Sequence, residues 1–215
     1  MSFKNDGNQI IIDFLGSIDK LIRENISTLS FNDLGKLYFD LFMNLKKFRG
    51  YSGGFTGFGE YILFRALIHT IDGAFRRENE EEENNELKRY SFYRDNLELS
   101  QGKRFKLKEP YPRAKMKPQL SFEPDIALRK NCEFRLLISI KTNAELGILL
   151  KEVKFIKHIL STEVKSKAIL IIIDDTTYSD NVKNELTKEE DDRFKHFVLR
   201  GNHDVFKNSI SPFLP

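Results

Sequence analysis

Phe122-Glu123-Pro124-Asp125-Ile126-Ala127-Leu128-Arg129-Lys130-Asn131-Cys132-Glu133-Phe134-Arg135-Leu136-Leu137-Ile138-Ser139-Ile140-Lys141-Thr142 decides the fold. Two β-rich runs flank a turn at Arg129-Lys130-Asn131; the first carries an acid at Asp125 and the second a base at Lys141. A lysine closing an apolar run is costly unless its ammonium meets a partner, because a buried charge must be paired or neutralised. Asp125 is a natural partner. The alternative to a chemical role for the two is a simple cross-strand ion pair.

Working outward, the residues after Thr142 place Leu146, Leu149, Leu150, Val153, Ile156, Ile159 and Leu160 on one helical stripe. Ala168-Ile169-Leu170-Ile171-Ile172-Ile173 follows, a continuous apolar run that suits a strand buried on both faces. Strand, helix, buried strand is the crossover unit of parallel pairing. The expected class is α/β, with a mixed central sheet of about four strands flanked by helices.

Upstream, helical periodicity runs from Asn8 to Ile22 and from Phe31 to Phe48, with Ser30 and Asn32 available as caps for the second helix. A glycine-rich break over residues 50–59 precedes a third helix that starts near Thr56 or Gly57. That break is a flexible turn or a loop that approaches phosphate; no Walker lysine or dinucleotide spacing accompanies it. Residues 78–86 form an acidic low-complexity segment expected to stay solvated, and Tyr90 to Leu99 is strand-like.

Between Gly102 and Pro118 lie Lys103, Arg104, Lys106, Lys108, Arg113, Lys115 and Lys117 against the single acid Glu109, with Phe105 and Tyr111 interleaved. Pro110, Pro112 and Pro118 keep the segment extended. Its position directly before Asp125 brings cations toward any phosphate held there, so contact with DNA is favoured over a merely soluble loop. The charge of the whole chain does not require this, since 35 Lys+Arg stand against 32 Asp+Glu.

The single cysteine, Cys132, excludes an internal disulfide framework and suits a reducing interior; zinc is not expected. No apolar run reaches the roughly 18 residues of a bilayer span and the start lacks a signal-peptide pattern, so no membrane partner and an intracellular, cytoplasmic setting are expected. After Thr187 the chain offers one polar helix and a loosely patterned end. His203-Asp204 invites a metal reading but lacks a second ligand cluster, and His69 reads as a packing residue on a helix face.

A helix with Glu60, then Pro124-Asp125, then Ser139-Ile140-Lys141, then helix and strand resembles the PD-(D/E)XK nuclease superfamily in order and spacing, over about residues 54–175. The resemblance implies a restriction-endonuclease-like core over 51–178, an N-terminal helical extension over 1–50 and a C-terminal helix and tail over 179–215, packed as one domain. It implies metal-dependent cleavage of DNA, with Asp125, Glu60 and the Ile140 carbonyl holding magnesium (or manganese) while Lys141 orients or activates the attacking water.

This sequence departs from the family where the acid two positions before the lysine is Ser139, which supplies no negative charge to a hard cation. Restriction endonucleases with Ser-x-Lys take the missing carboxylate from the following helix, which points to Glu152. Glu123 comes next, sharing a strand face with Asp125, and Glu145 is a further candidate on the stripe of Glu152. Otherwise Ser139 marks a non-cleaving scaffold that only binds. Among substrates, a compact chain without a large recognition domain leans toward junctions or branched DNA, over a sequence-specific restriction enzyme or a repair nuclease. A resolvase would act as a homodimer. A Lys-, Ile- and Phe-rich composition also resembles small nucleases of mobile elements and archaeal viruses, for which the setting is the host cytoplasm.

Overall fold

Asn131 and Cys132 both adopt positive φ, 51° and 64°. They form the two-residue turn that joins strands β6 (Ile126–Lys130) and β7 (Glu133–Lys141), one residue later than the expected turn. Two consecutive left-handed residues match the twist of an antiparallel pair, and an asparagine tolerates that region well. The register runs from Lys130 opposite Glu133 to Ile126 opposite Ile138, with an irregularity between Leu128 and Arg129.

The computed structural model describes residues 15–49, 56–71, 76–77, 90–113, 116–142, 145–173 and 178–215. The glycine-rich stretch at 50–55, the acidic segment at 78–86 and Lys115 lie outside these residues, as does the start of the first expected helix. In chain order the described helices begin with α1 (within 15–25), α2 (Phe31–Arg49) and α3 (Thr56–Thr70). Strands β1 (Arg76–Arg77), β2 (Tyr90–Arg94), β3 (Leu97–Gln101), β4 (Phe105–Tyr111) and β5 (Gln119–Phe122) precede the β6–β7 hairpin. Helix α4 (Leu146–Thr162), β8 (Lys167–Ile172), α5 (Asp180–Lys188), β9 (Phe194–Val198) and α6 (Phe206–Ile210) complete the order, ahead of a short 3-10 turn.

The sheet is mixed and larger than expected. Its order is β1-β2-β3-β6-β7-β8-β9, seven strands with a two-residue edge at β1, where about four were expected. Besides the edge at β1, the excess has two sources. The strand-like run at Tyr90 is a hairpin turning at Asp95, which has positive φ, and β9 pairs in parallel with β8 in the tail that carried no clear pattern. Only Phe194 of β9 is buried and its other four residues are half-buried, a pattern without clear alternation, so its strand character comes from the pairing with β8. The basic segment is a separate antiparallel ribbon, β4 with β5. The expected crossover is present: β7, α4 and β8, with β7 and β8 parallel.

Period-two alternation divides the core. Leu136, Ile138 and Ile140 of β7 and Ile169, Ile171 and Ile173 at β8 face the layer of α1, α2, α3 and α6. Leu137 of β7 and Ala168, Leu170 and Ile172 of β8 face α4 and α5. Helix α4 buries Leu149, Val153, Ile156, Ile159 and Leu160 there, each worth about 1.5–3 kcal/mol of transfer free energy. Ser30 caps α2 as expected: its Oγ accepts from Asp33 N–H at 3.1 Å while Asp33 Oδ2 accepts from Ser30 N–H at 3.1 Å. Asn32 instead accepts from Gly201 N–H, which ties α2 to the C-terminal segment.

Candidate active site

The geometry of the hairpin places the start of β6 beside the end of β7. Ile126 pairs with Ile138, so Asp125 lies one step beyond, beside Ser139. Its Oδ2 accepts from Ile140 N–H at 2.5 Å and lies 3.4 Å from Ser139 Oγ. Asp125 stands at the joint between β5 and β6 rather than inside a strand, where a main-chain N–H of β7 holds the carboxylate.

Glu152 comes from the second turn of α4. Ser139 Oγ donates to Glu152 Oε1 at 2.6 Å, and Lys141 Nζ pairs with Glu152 Oε2 at 3.4 Å. Ser139 and Lys141 share the β7 face that α4 covers, because they are two residues apart on a strand. The lysine therefore meets an anion as expected, and that anion is Glu152. The same face forms a small cleft of about 40 Å³ lined by Phe122, Pro124, Ser139, Glu152, Phe155 and Ile156, among others.

Glu60 reaches the cluster from the first turns of α3, on the opposite side of the sheet. Gly59 makes this approach possible: a Cβ there would lie 2.2 Å from Ile173 Cδ1, just past the end of β8. Gln101 Nε2, at the end of β3, donates to Glu60 Oε2 at 3.4 Å. Burial raises the pKa of Glu60, and the negative charge of Asp125 adds to the shift against the opposing pull of Gln101 and Lys141. Burial also raises that of Asp125; Glu152 pushes the same way, while the Ile140 N–H, Lys141 and Ser139 pull it down. Asp125 thus couples electrostatically to Glu60 on one side and to Glu152 on the other.

Neither Gln101 nor Gly59 carried a signal in the sequence. One ends a five-residue strand and the other sits in a glycine-rich run, and their positions matter only through what packs against them.

Of the other expected residues, only Glu123 lines the same cleft as Ser139 and Glu152. Glu123 is bonded to Arg104 at 3.3 Å, and Glu145 is exposed at the start of α4. On the ribbon, Lys103 pairs with Glu98 and Lys108 with Glu163, so acids from outside the segment join the single Glu109. Arg113 bonds the side chain of Gln119. Lys106 and Lys117 are exposed and have no ion-pair partner among the described residues. His69 joins Arg65 in holding Asp19, a clamp between α3 and α1. The Asp204 carbonyl accepts from Phe31 N–H at 3.1 Å, a structural bond.

The donor set of Asp125, Glu60 and Glu152 is oxygen only, which suits a hard divalent cation, and burial, with a smaller contribution from a neighbouring carboxylate, raises the pKa values of Asp125 and Glu60. By kind of ligand the residues fit magnesium. Among the described residues no three His, Cys, Asp or Glu side chains are already grouped closely enough to enclose an ion, because Ser139 stands between Asp125 and Glu152 and Gln101 holds Glu60. No described helix is long and apolar enough to cross a membrane. Comparison with protein-family models, curated proteins and solved structures returns no match, so any functional reading of this site rests on its residues and their geometry.

Proposed function

We propose that this chain is a metal-dependent DNA endonuclease on a restriction-endonuclease-like core, acting on junctions or branched DNA as a homodimer. The observation that carries the reading is the convergence of Glu60, Asp125, Ser139, Lys141 and Glu152 from α3, the β5–β6 joint, β7 and α4 at one end of the sheet. Asp125, Glu60, Glu152 and the Ile140 carbonyl would hold magnesium or manganese. A bound divalent cation supplies positive charge against the phosphoryl oxygens and acidifies a water.

The chain's own groups do the rest. Ile140 N–H and Ser139 Oγ both approach Asp125 on Oδ2, which fixes the carboxylate and would leave Oδ1 for the cation. Lys141 is half-buried at the end of β7, where its ammonium would orient the attacking water and screen the approaching phosphate. Ser139 links Asp125 to Glu152 and so sets the position of the carboxylate that stands in for the usual acid.

A second reading is favoured by one specific contact. Lys141 and Ser139 already satisfy both oxygens of Glu152, an arrangement that a non-cleaving DNA-binding scaffold would also keep. The deciding experiment incubates the protein with labelled linear duplex, single strand, flap and four-way junction in magnesium, manganese or EDTA. Cleavage confined to metal lanes and strongest on branched DNA is expected. Binding without cleavage in every lane would leave the scaffold reading.

A further inference from the structure

The charge of the β4–β5 ribbon is sorted along its length. At its base Lys103 pairs with Glu98 at 2.5 Å, Arg104 with Glu123 at 3.3 Å and Lys108 with Glu163 at 2.7 Å. These acids come from β3, the β5–β6 joint and the end of α4, so the fold neutralises the cations nearest the sheet except Lys106, which is exposed and has no ion-pair partner among the described residues. Beyond them comes Glu109, the one acid of the segment, and then residues 110–122, which contain Arg113, Lys115 and Lys117 and no acid.

The tip also holds exposed apolar side chains. Met116 is 67% exposed and Leu120 is 62% exposed, whereas Leu107 and Phe122 nearer the sheet are buried. Internal bonds fix this end: Arg113 bonds Gln119 Oε1, Met116 N–H donates to the Arg113 carbonyl at 3.3 Å, and Gln119 Nε2 donates to the Ser121 carbonyl at 2.7 Å. A short closed tip thus offers cations and apolar groups together, with no counter-charge of its own.

Such a surface suits a polyanion whose apolar faces are accessible. Intact duplex hides its base faces by stacking, but a branch, gap or flap exposes them, and apolar side chains enter such unstacked steps as wedges. Resting on the DNA reading above, we propose that the ribbon tip, Met116 and Leu120 flanked by Arg113 and Lys117, is a wedge that docks on unstacked bases at a discontinuity in DNA. The neutralised cations at the ribbon base take no direct part. DNA is favoured over an anionic membrane surface because β5 runs from the tip straight into Asp125. Leu120 and Asp125 are five residues apart, which limits their separation to about 17 Å of extended chain, or about five nucleotide steps of ~3.4 Å.

The test measures binding of the full chain in EDTA to three fluorescent probes: intact duplex, a four-way junction and vesicles of phosphatidylglycerol with phosphatidylcholine. Met116→Ala with Leu120→Ala should weaken junction binding about tenfold and duplex binding less than twofold. Arg113→Ala with Lys117→Ala should weaken both DNAs and lower the slope of log K against log salt by about 2. Arg104→Ala with Lys108→Ala, at exposed positions, should leave both within twofold. Equal loss on both DNAs, an unaffected wedge variant, or a salt slope carried by Arg104 and Lys108 would overturn the wedge. Binding to vesicles without binding to DNA would overturn it in favour of a membrane surface. The two readings fail separately: a wild type that binds and cleaves junctions while the wedge variant matches it sinks only the wedge, whereas a wild type with no DNA affinity sinks both.

Discussion

Ser139 Oγ donates to Glu152 Oε1 across 2.6 Å, joining the strand position that departs from the nuclease pattern to the helix position proposed to supply the missing acid. If Glu152 has taken over the missing carboxylate, Glu152→Gln should abolish cleavage. Adding Ser139→Glu should restore part of it, because β7 directs that side chain toward the same place. The adjoining cleft of about 40 Å³ gives the longer side chain some room. Glu123→Gln, whose carboxylate faces Arg104, should cleave as wild type. Gel assays on a labelled junction check all three; a dead Glu123→Gln beside an active Glu152→Gln would reverse the assignment.

Lys141→Ala should lower kcat by about 10²- to 10⁴-fold, the range for a positioned group acting on the proton or water of the reaction. Asp125→Asn should remove cleavage as well, yet keep a carbonyl oxygen to accept from Ile140 N–H, so that it folds. Junction affinity in EDTA should stay within about threefold for both variants. Single-turnover kinetics and anisotropy separate the two effects, and wild-type rates in either variant would remove these residues from the site.

Gly59→Ala tests how Glu60 is positioned. The new methyl would stand 2.2 Å from the Cδ1 of Ile173, a fully buried side chain. Overpacking of this kind costs about 1–3 kcal/mol, against a gain of about 1 kcal/mol in helix propensity. A net loss of stability of at most about 2 kcal/mol is expected, together with a larger proportional loss of cleavage as α3 moves. Ile173→Val removes Cδ1, so the double variant should recover both melting temperature and activity. Failure of that rescue would show that Gly59 matters for another reason.

The raised pKa values of Glu60 and Asp125 have a stability consequence. A carboxyl with a higher pKa folded than unfolded binds more protons when folded, so stability falls as pH rises through the window between the two values. Relative to wild type, Asp125→Asn should therefore gain stability as pH rises from below the ordinary value of 3.8 toward neutrality. Comparing the difference between variant and wild type cancels the opposite contributions of Asp19, Asp33 and Glu190, whose pKa values are lowered. Urea unfolding at several pH values reads this directly. Magnesium should raise the melting temperature of wild type more than that of Asp125→Asn; equal shifts would argue against a cation held by Asp125.

Local pattern determined a good part of this protein. The two runs around Asn131, the α4 stripe and the apolar β8 run are legible because side-chain periodicity reports which face of an element is buried. So are the start of α3 near Thr56 and the Ser30 cap, since both depend on residues close in sequence. Tertiary structure alone decided the rest. Whether Lys141 meets Asp125 or Glu152 depends on the register of β7 against α4, and the partners of Arg104 and Lys108 depend on which distant acids the fold brings to the ribbon. Strand β9 takes its identity from pairing with β8, and Gly59 and Gln101 acquire their roles from Ile173 and Glu60. Periodicity fixes the direction of a side chain within its own element; its partner is fixed by how elements pack, which no short stretch of sequence encodes.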